Sequence, residues 1–277
     1  MLKKRIIAKL EIKGPNLVKG VNLEGLRVLG KPEFFSENYY KNGINELFYQ
    51  DVVASLYGKN ALYETISKTA KKIFIPLIVG GGIRKISDIN KILRAGADKV
   101  SINSQAFKDP NLIYEAVRIF GKSTIVANVE LLKKNNKYFC YYNNGRTPTN
   151  IESIEWIMKL QKIGVGEIIA TFIDFDGTGN GFDFDYIKFL KKKLTIPLVV
   201  SGGAGSLIQV TKLFKKTNIS GIALGSFLHY NLIQGKKFSK NEFKDEGNID
   251  FITTNNFNFK KFENKSVSSI LKKLNKI

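Results

Sequence analysis

Two nine-residue stretches decide the fold of this chain: FIPLIVGGG at residues 74–82 and TIPLVVSGG at residues 195–203. Each is a short apolar run that ends in a glycine turn, and the two begin 121 residues apart. Such a run predicts a buried strand, and the glycines predict a tight turn after it. The separation is far longer than a solenoid repeat. It indicates that the two halves of the chain share one plan, with a similar site built in each.

The rest of the chain alternates short apolar runs with longer amphipathic ones. Strands are predicted at residues 5–11, 46–51, 75–80, 99–103, 124–130, 167–172, 196–201 and 221–225. Helices are predicted near residues 32–42, 59–72, 85–95, 109–119, 151–163, 183–193, 206–216 and 266–275. An open doubly wound sheet is the alternative, but the repeat favours a closed one. We predict an α/β fold: a single (β/α)8 TIM barrel over residues 1–277, with a half-barrel internal repeat.

Three long segments interrupt this pattern, at residues 13–30, 131–150 and 231–264. The first is a long glycine-containing connection, and the second predicts a small hairpin with a strand at 137–142 that turns at 143–145. The third is an extra segment between strand eight and the last helix, rich in Asn, Lys and Phe. All three follow strands, so we expect them at the catalytic face of the barrel, where the strands end.

Composition narrows the class of protein. Of the 277 residues, 43% are hydrophobic and 25% charged, and no apolar run reaches the roughly 18 residues of a membrane-spanning helix. The net charge is +20, but only six of the 44 basic residues are arginines. Surfaces that read phosphates and bases use arginine heavily. We therefore expect no nucleic-acid and no membrane partner, whereas a phosphorylated small molecule suits the positive charge.

The chain has one cysteine, Cys140, and one histidine, His229. This excludes an internal disulfide and any mechanism that needs two histidines, and it argues against a cysteine-based metal site. We expect Cys140 to be a packing residue and His229 to be structural. The sequence thus predicts a cytoplasmic enzyme with neither a metal nor a cofactor.

Two carboxylates are candidates for acid–base work. Glu11 ends the first predicted strand and Glu130 ends the fifth, so they should face each other across the top of the barrel. Opposed carboxylates suit a reaction in which one group takes a proton and the other gives one. The alternative is that each is a salt-bridged rim residue beside Lys9, Lys13 or Lys133.

The glycine turns predict two phosphate sites. Glycine lets main-chain N–H groups approach an anion closely. Each turn is paired with a neighbouring strand that ends in a small polar residue, which gives the sets Gly82, Asn103, Ser104 and Gly203, Gly225, Ser226. A substrate with a phosphate at each end would span the barrel mouth. The aspartates of the loop at 174–179 either orient a substrate hydroxyl or cap a turn.

Four strands begin with charges of alternating sign: Arg5, Glu46, Lys99 and Glu167. These residues should meet at the N-terminal face and close the barrel bottom with a salt-bridged ring. Spacing alone favours a structural plug.

Six stretches of the chain carry a resemblance to a known family. They are RIIAKLEIKGPNLVKGVN (5–22), GINELFYQDV (43–52), PLIVGGGIR (76–84), LRAGADKVSINS (93–104), GVGEIIATFIDFDGTGNGFD (164–183) and PLVVSGGAG (197–205). Together they resemble the cyclase subunits of imidazole glycerol phosphate synthase, (β/α)8 barrels of histidine biosynthesis. The resemblance implies a lyase that receives ammonia from a glutaminase subunit, which docks at the N-terminal face in a heterodimer. Ammonia and a bis-phosphorylated ribulosyl-formimino nucleotide then give imidazole glycerol phosphate and aminoimidazole carboxamide ribotide.

The resemblance also implies roles for individual residues. The charged ring becomes the gate through which ammonia enters, and Lys19 becomes the lysine of a mobile loop over the site. Gly82, Asn103 and Ser104 match one phosphate site, and Gly177, Gly203, Gly225 and Ser226 match the other. Thr171 and Asp176 match polar residues beside the reacting centre, and Glu11 and Glu130 stand at the catalytic positions.

Two departures from the family keep an alternative open. The family has aspartate where this chain has Glu11 and Glu130, and the segment at 231–264 is extra. Cyclase-like paralogues in surface-polysaccharide pathways conduct ammonia from a glutaminase to an N-acetyl sugar amidotransferase, which makes acetamidino sugars. The alternative function for this chain is that of such a conducting subunit.

Overall fold

A computed structural model describes residues 4–54, 62–234 and 261–276. The strands in this part of the chain are β1 (Arg5–Lys13), β2 (Asn16–Val21), β3 (Glu24–Gly30), β4 (Glu46–Asp51), β5 (Leu77–Gly80), β6 (Lys99–Ile102), β7 (Ile125–Lys134), β8 (Lys137–Tyr142), β9 (Thr147–Glu152), β10 (Glu167–Phe172), β11 (Leu198–Ser201) and β12 (Gly221–Leu224). Eight of them pair in parallel in the order β1-β4-β5-β6-β7-β10-β11-β12, and β12 pairs with β1 to close the sheet. The predicted (β/α)8 barrel is confirmed.

Helices surround the barrel. Those in the described residues are α1 (Pro32–Lys41), α2 (Tyr63–Ala70), α3 (Ile86–Arg94), α4 (Ser104–Lys108), α5 (Pro110–Phe120), α6 (Ser153–Ile163), α7 (Phe184–Lys193), α8 (Leu207–Thr217), α9 (Ser226–Ile233) and α10 (Val267–Leu274). The short helices α4 and α9, which directly follow strands, were not predicted. The predicted helix at 59–72 begins in residues 55–61, which lie outside the described part. No helix described here is long and apolar enough to cross a membrane.

The strands are buried on both faces, as in other parallel barrels. Successive side chains of a strand point to opposite faces. On β1, residues 6, 8, 10 and 12 join the large core between the barrel and its helices. Ile7 instead belongs to a separate apolar layer, which is made up of Ile7, Phe48, Ile78, Val126, Ile169, Val199 and Ala223. We interpret this layer as the filling of the barrel interior.

The half-barrel repeat extends to backbone angles. Asn103 has φ −130° and ψ −81°, and its counterpart Gly225 has φ −107° and ψ −95°. Each follows a barrel strand and precedes a short helix that begins with serine. The two halves therefore present the same turn at the same place.

The three interrupting segments differ in how well the sequence predicted them. Residues 13–30 are not a plain connection but the antiparallel hairpin β2–β3, which pairs with the end of β1. The strand predicted at 137–142 is β8, which joins β7 and β9 in a three-stranded extension. Most of the segment at 231–264 lies outside the described residues. Its described end packs against the barrel, where the N–H of Glu263 donates to the carbonyl of Gly205 over 2.7 Å.

Candidate active site

Glu11 is buried near the C-terminal end of β1, two residues before Lys13, and is surrounded by cations. Its Oε2 lies 2.7 Å from Nζ of Lys19, and its Oε1 lies 3.4 Å from Nζ of Lys9. Burial opposes the charged carboxylate, but the two lysines outweigh it and lower the pKa of Glu11. Glu11 is therefore held as a carboxylate at neutral pH.

Glu130 is buried at the same end of the barrel, on β7, in a different environment. Its Oε2 accepts a hydrogen bond from the main-chain N–H of Gly145 over 2.7 Å. Burial raises the pKa of Glu130 to about 7, and neither the Gly145 N–H nor the charge of Lys9 reverses this effect. A substantial fraction of Glu130 therefore carries a proton at neutral pH.

The two predicted catalytic carboxylates thus differ in protonation. One is held ionised by lysines, and the other is kept partly neutral by burial. Pairs of carboxyl groups whose environments push their pKa values apart are the usual arrangement for acid–base catalysis. The arrangement suits a reaction in which Glu130 gives a proton while Glu11 takes one or stabilises a positive charge.

The first predicted phosphate site lies in one cavity with Glu130. The cavity is lined by Gly82, Asn103 and Ser104 and also by the cations Arg84 and Lys108. Gly82 has a φ of +70°, and a Cβ there would lie 2.7 Å from the Cβ of Ala54, so only glycine fits. The buried side-chain amide of Asn103 lies close enough to Glu130 to lower its pKa, although among the described residues it makes no well-formed hydrogen bond. The cavity therefore offers an anion both positive charge and a polar side chain.

The second predicted phosphate site lies in a cavity with Glu11. Its lining residues include Gly177, Gly203, Gly225, Ser226 and Lys19. Gly203 has a φ of +109°, and a Cβ there would lie 1.9 Å from the carbonyl oxygen of Gly181. Within the described part of the chain, the buried hydroxyl of Ser226 has no partner. Both cavities thus combine a glycine turn, a buried polar side chain and cations.

Lys19 lies on β2, 2% exposed, and links the hairpin to the barrel. Its Nζ contacts Oδ1 of Asp176 at 2.5 Å as well as Glu11. Burial disfavours the charged amine, yet Asp176 and Glu11 raise the pKa of Lys19 above its ordinary value. The N–H of Asn22 also donates to the carbonyl of Asp176 over 2.8 Å. The hairpin therefore lies closed over the second cavity.

Thr171 lies slightly apart from the two cavities. It is fully buried on β10, pairs in register with Glu130, and donates through Oγ1 to Oδ1 of Asn128 over 2.8 Å. Asn128 lines the first cavity. The contact connects Thr171 to the site through Asn128.

The four charged strand starts form a ring at the opposite end of the barrel. Arg5 pairs with Glu46 at 2.8 Å and also contacts Glu167. Lys99 contacts the same two carboxylates, at 2.7 and 3.3 Å. Two positive and two negative groups therefore balance across the barrel bottom, as the spacing predicted.

Several residues of the site escaped the sequence reasoning. Lys9 was weighed only as a rim partner, but it is 4% exposed. The main-chain N–H of Gly145 and the side chains of Arg84, Lys108 and Asn128 were not predicted to contribute. The alternation along β1 already places Lys9 on the same face as Arg5 and Glu11. For the other residues, local sequence carries no comparable signal.

The remaining predictions concern residues without a chemical role. Cys140 is buried, as expected of a packing residue, and burial raises the pKa of its thiol. His229 is buried, with Nε2 2.9 Å from the carbonyl of Lys9 and Nδ1 2.6 Å from the hydroxyl of Tyr39. Burial, aided by the charge of Lys19, lowers the pKa of His229 to about 3. The ring of His229 is therefore neutral, and it connects α9 with β1 and α1.

Across residues 4–54, 62–234 and 261–276, no group of three or more acidic, histidine or cysteine side chains is arranged to hold a metal ion.

Known proteins resemble this chain over most of its length. Residues 5–234 match the family described as histidine biosynthesis protein. The chain is 47% identical over 204 residues to the imidazole glycerol phosphate synthase subunit HisF of Legionella pneumophila, covering 73% of this chain and 96% of that protein. It is 39% identical over 249 residues to the protein of the same name from Clostridium botulinum (strain Kyoto / Type A2), covering 89% and 98%. It is 41% identical over 231 residues to that of Bacillus cereus (strain G9842), covering 83% and 92%.

Proposed function

The chain belongs to the histidine biosynthesis protein family, and we propose that it is the cyclase subunit of an imidazole glycerol phosphate synthase, a lyase that uses ammonia from a glutaminase partner. The observation that carries this proposal is the pair of cavities, each with an anion-binding glycine turn and one carboxylate. A substrate with a phosphate at each end fits such a pair. Its reacting centre then lies between Glu11 and Glu130.

The chemistry requires proton transfer in both directions. When ammonia adds to the carbonyl carbon of the ribulosyl part, the nitrogen must lose a proton and the oxygen must gain one. Glu130, whose pKa is about 7 because it is buried, supplies the proton. Glu11, held as a carboxylate, receives one. A positioned acid or base contributes about 100-fold to 10,000-fold to rate.

Substrate binding also changes the basicity of Glu11. Lys19 lines the second cavity, so a phosphate bound there competes with Glu11 for the lysine. As Lys19 shifts toward the phosphate, the carboxylate of Glu11 loses part of its stabilising charge and becomes a stronger base. The base is thereby activated when the substrate is present.

Ammonia enters through the charged ring at the N-terminal face, over which the glutaminase docks. Its path leads past the apolar layer around Ile7, where a neutral molecule passes more readily than an ammonium ion. The relatives named above are synthase subunits, which supports a partner for this chain too.

The test is an assay of the purified chain with the bis-phosphorylated nucleotide and an ammonium salt. We expect imidazole glycerol phosphate and aminoimidazole carboxamide ribotide in equal amounts. No substrate consumption above background would contradict the cyclase function. If the chain instead supported sugar amidination together with a glutaminase and an amidotransferase, the role of an ammonia-conducting subunit would replace the cyclase function.

A further inference from the structure

Lys9 is a charged side chain inside the barrel. Arg5, Ile7, Lys9 and Glu11 share one face of β1, and Ile7 belongs to the apolar layer, so Lys9 lies one layer above that filling and one below Glu11. It is 4% exposed and lines the second cavity. A buried cation costs several kcal/mol unless it is paired, so its partners show what it is for.

The position of Lys9 is rigid. Its amine contacts Oε1 of Glu11 at 3.4 Å, and its own carbonyl accepts a hydrogen bond from the buried ring of His229 over 2.9 Å. Lys19, the other cation at Glu11, belongs to the hairpin rather than to a barrel strand. When a phosphate draws Lys19 away, Lys9 is the cation that stays with Glu11.

We propose that Lys9 is a positioning residue, the fixed counter-charge within the barrel that holds Glu11 as a carboxylate and helps Glu130 to release its proton. This inference rests on the proposed function, because it assigns Lys9 a part in the same acid–base step. Lys9 itself need not touch the substrate.

The charges around Lys9 determine the sign of its effect. Lys9 shares the second cavity with Glu11, with Lys19 on β2 and with Asp176 after β10. Its charge also acts on Glu130 on β7, and its main-chain carbonyl contacts the neutral His229 on α9. The charge of Lys9 lowers the pKa of both Glu11 and Glu130. Without it, both carboxyl groups would bind their protons more tightly.

The experiment compares pH–rate profiles of ammonia-dependent cyclisation for wild type and Lys9→Met, at a constant concentration of neutral ammonia. The acidic limb reports Glu11 losing its proton, and the alkaline limb reports Glu130 losing its own. An opposite charge within about 4–6 Å shifts a pKa by about one unit or more. We expect the acidic limb of Lys9→Met to move up by about one pH unit, and the alkaline limb to move in the same direction. Titration of substrate phosphates is common to all variants and cancels in the comparison.

Three variants separate this role from a structural one. Lys9→Arg keeps the charge and should keep both limbs in place, even if its rate falls. Lys13→Met removes an exposed lysine at the end of the same strand and should move neither limb. Lys9→Gln replaces Lys9→Met if the latter does not fold.

Carboxyl titration by 13C NMR, assigned with Glu11→Gln and Glu130→Gln, gives a readout that does not depend on activity. If wild type proves inactive, the proposed function fails while the titration still tests Lys9. The proposal is overturned if the pH–rate limbs and the carboxyl titrations of Lys9→Met coincide with those of wild type. So would a fall in rate that is the same at every pH.

Discussion

The main-chain N–H of Gly145 donates to Oε2 of Glu130 over 2.7 Å, which places the turn between β8 and β9 directly on one of the two carboxyl groups proposed to be catalytic. The same turn contacts the first proposed phosphate site, where the N–H of Asn143 donates to Oγ of Ser104 over 3.1 Å. Burial raises the pKa of Glu130, and the hydrogen bond from Gly145 opposes this effect without reversing it. Because folding raises the pKa of Glu130, the protonation of this residue affects both its strength as an acid and the free energy of unfolding.

Replacing Glu130 by Gln should stabilise the protein at alkaline pH. A carboxyl group whose pKa is raised by folding stabilises the native state at low pH, and this stability is lost as pH rises from about 4.5 to about 7. One pKa unit corresponds to about 1.4 kcal/mol. The free energy of unfolding of Glu130→Gln, relative to wild type, should therefore rise by about 3 kcal/mol between pH 4.5 and 8. Urea unfolding at both pH values measures it.

The control for this prediction is Glu115→Gln, which alters an exposed glutamate on α5. Its difference from wild type should be independent of pH. A pH-independent difference for Glu130→Gln as well would mean that Glu130 is ionised in the folded chain, contrary to our assignment.

The charged ring should matter for ammonia delivery and not for chemistry. Lys99→Ala removes the cation that bridges Glu46 and Glu167 but leaves Arg5 paired with both. With a glutaminase partner, we expect glutamine hydrolysis to be uncoupled from product formation, while the rate with ammonium salt stays within about twofold of wild type. The exposed Lys192 on α7 provides the control, Lys192→Ala. Equal losses with both nitrogen sources would return the ring to a structural role.

Two phosphate ions should bind per chain, one in each cavity. Titration calorimetry with inorganic phosphate at millimolar concentration measures the stoichiometry. Ser104→Asp places a carboxylate in the first cavity and Ser226→Asp in the second, and each should abolish one site by repulsion and leave the other. Wild type that binds no phosphate, or a variant that loses both sites, would contradict two independent anion sites.

The tip of the β2–β3 hairpin should control how firmly the second cavity is closed. Leu23 is buried against Tyr141 and Ile173 although its backbone has a φ of +64°, an uncommon conformation for leucine. Leu23→Ala keeps the strained backbone but loses about 2 kcal/mol or more of packing. In Leu23→Ala, hydrogen exchange of the main-chain amides of residues 16–30 should be at least about tenfold faster than in wild type. Val21→Ala, at a half-exposed position of the same hairpin, should change it little.

The sequence predicted the barrel well because its strands are local features. β4 and β10 have the predicted bounds, since charged residues delimit each apolar run at its start. The opposition of Glu11 and Glu130 followed from their predicted places at strand ends, although β1 continues to Lys13 and β7 to Lys134. The charged ring followed from strand starts in the same way.

What the sequence did not predict depends on contacts between distant segments. The hairpin was missed because two-residue hairpin turns usually carry glycine where φ is positive, whereas this one is Asn22-Leu23. Burial of Leu23 compensates for the backbone conformation, and that burial involves residues more than a hundred positions away. The different protonation of the two carboxyl groups also has no local signal. It arises from Lys19 and Lys9 at Glu11 and from burial at Glu130.

The most direct test of the account is the rate of ammonia-dependent cyclisation for Glu11→Gln and Glu130→Gln, each compared with the corresponding Glu→Asp variant. Glutamine keeps the size and polarity of the side chain but cannot exchange a proton, so each Gln variant should lose at least about 100-fold in kcat/KM. The Asp variants retain the acid–base group and should stay active. If the Gln variants kept the wild-type rate while wild type was active, proton transfer by this pair would be refuted.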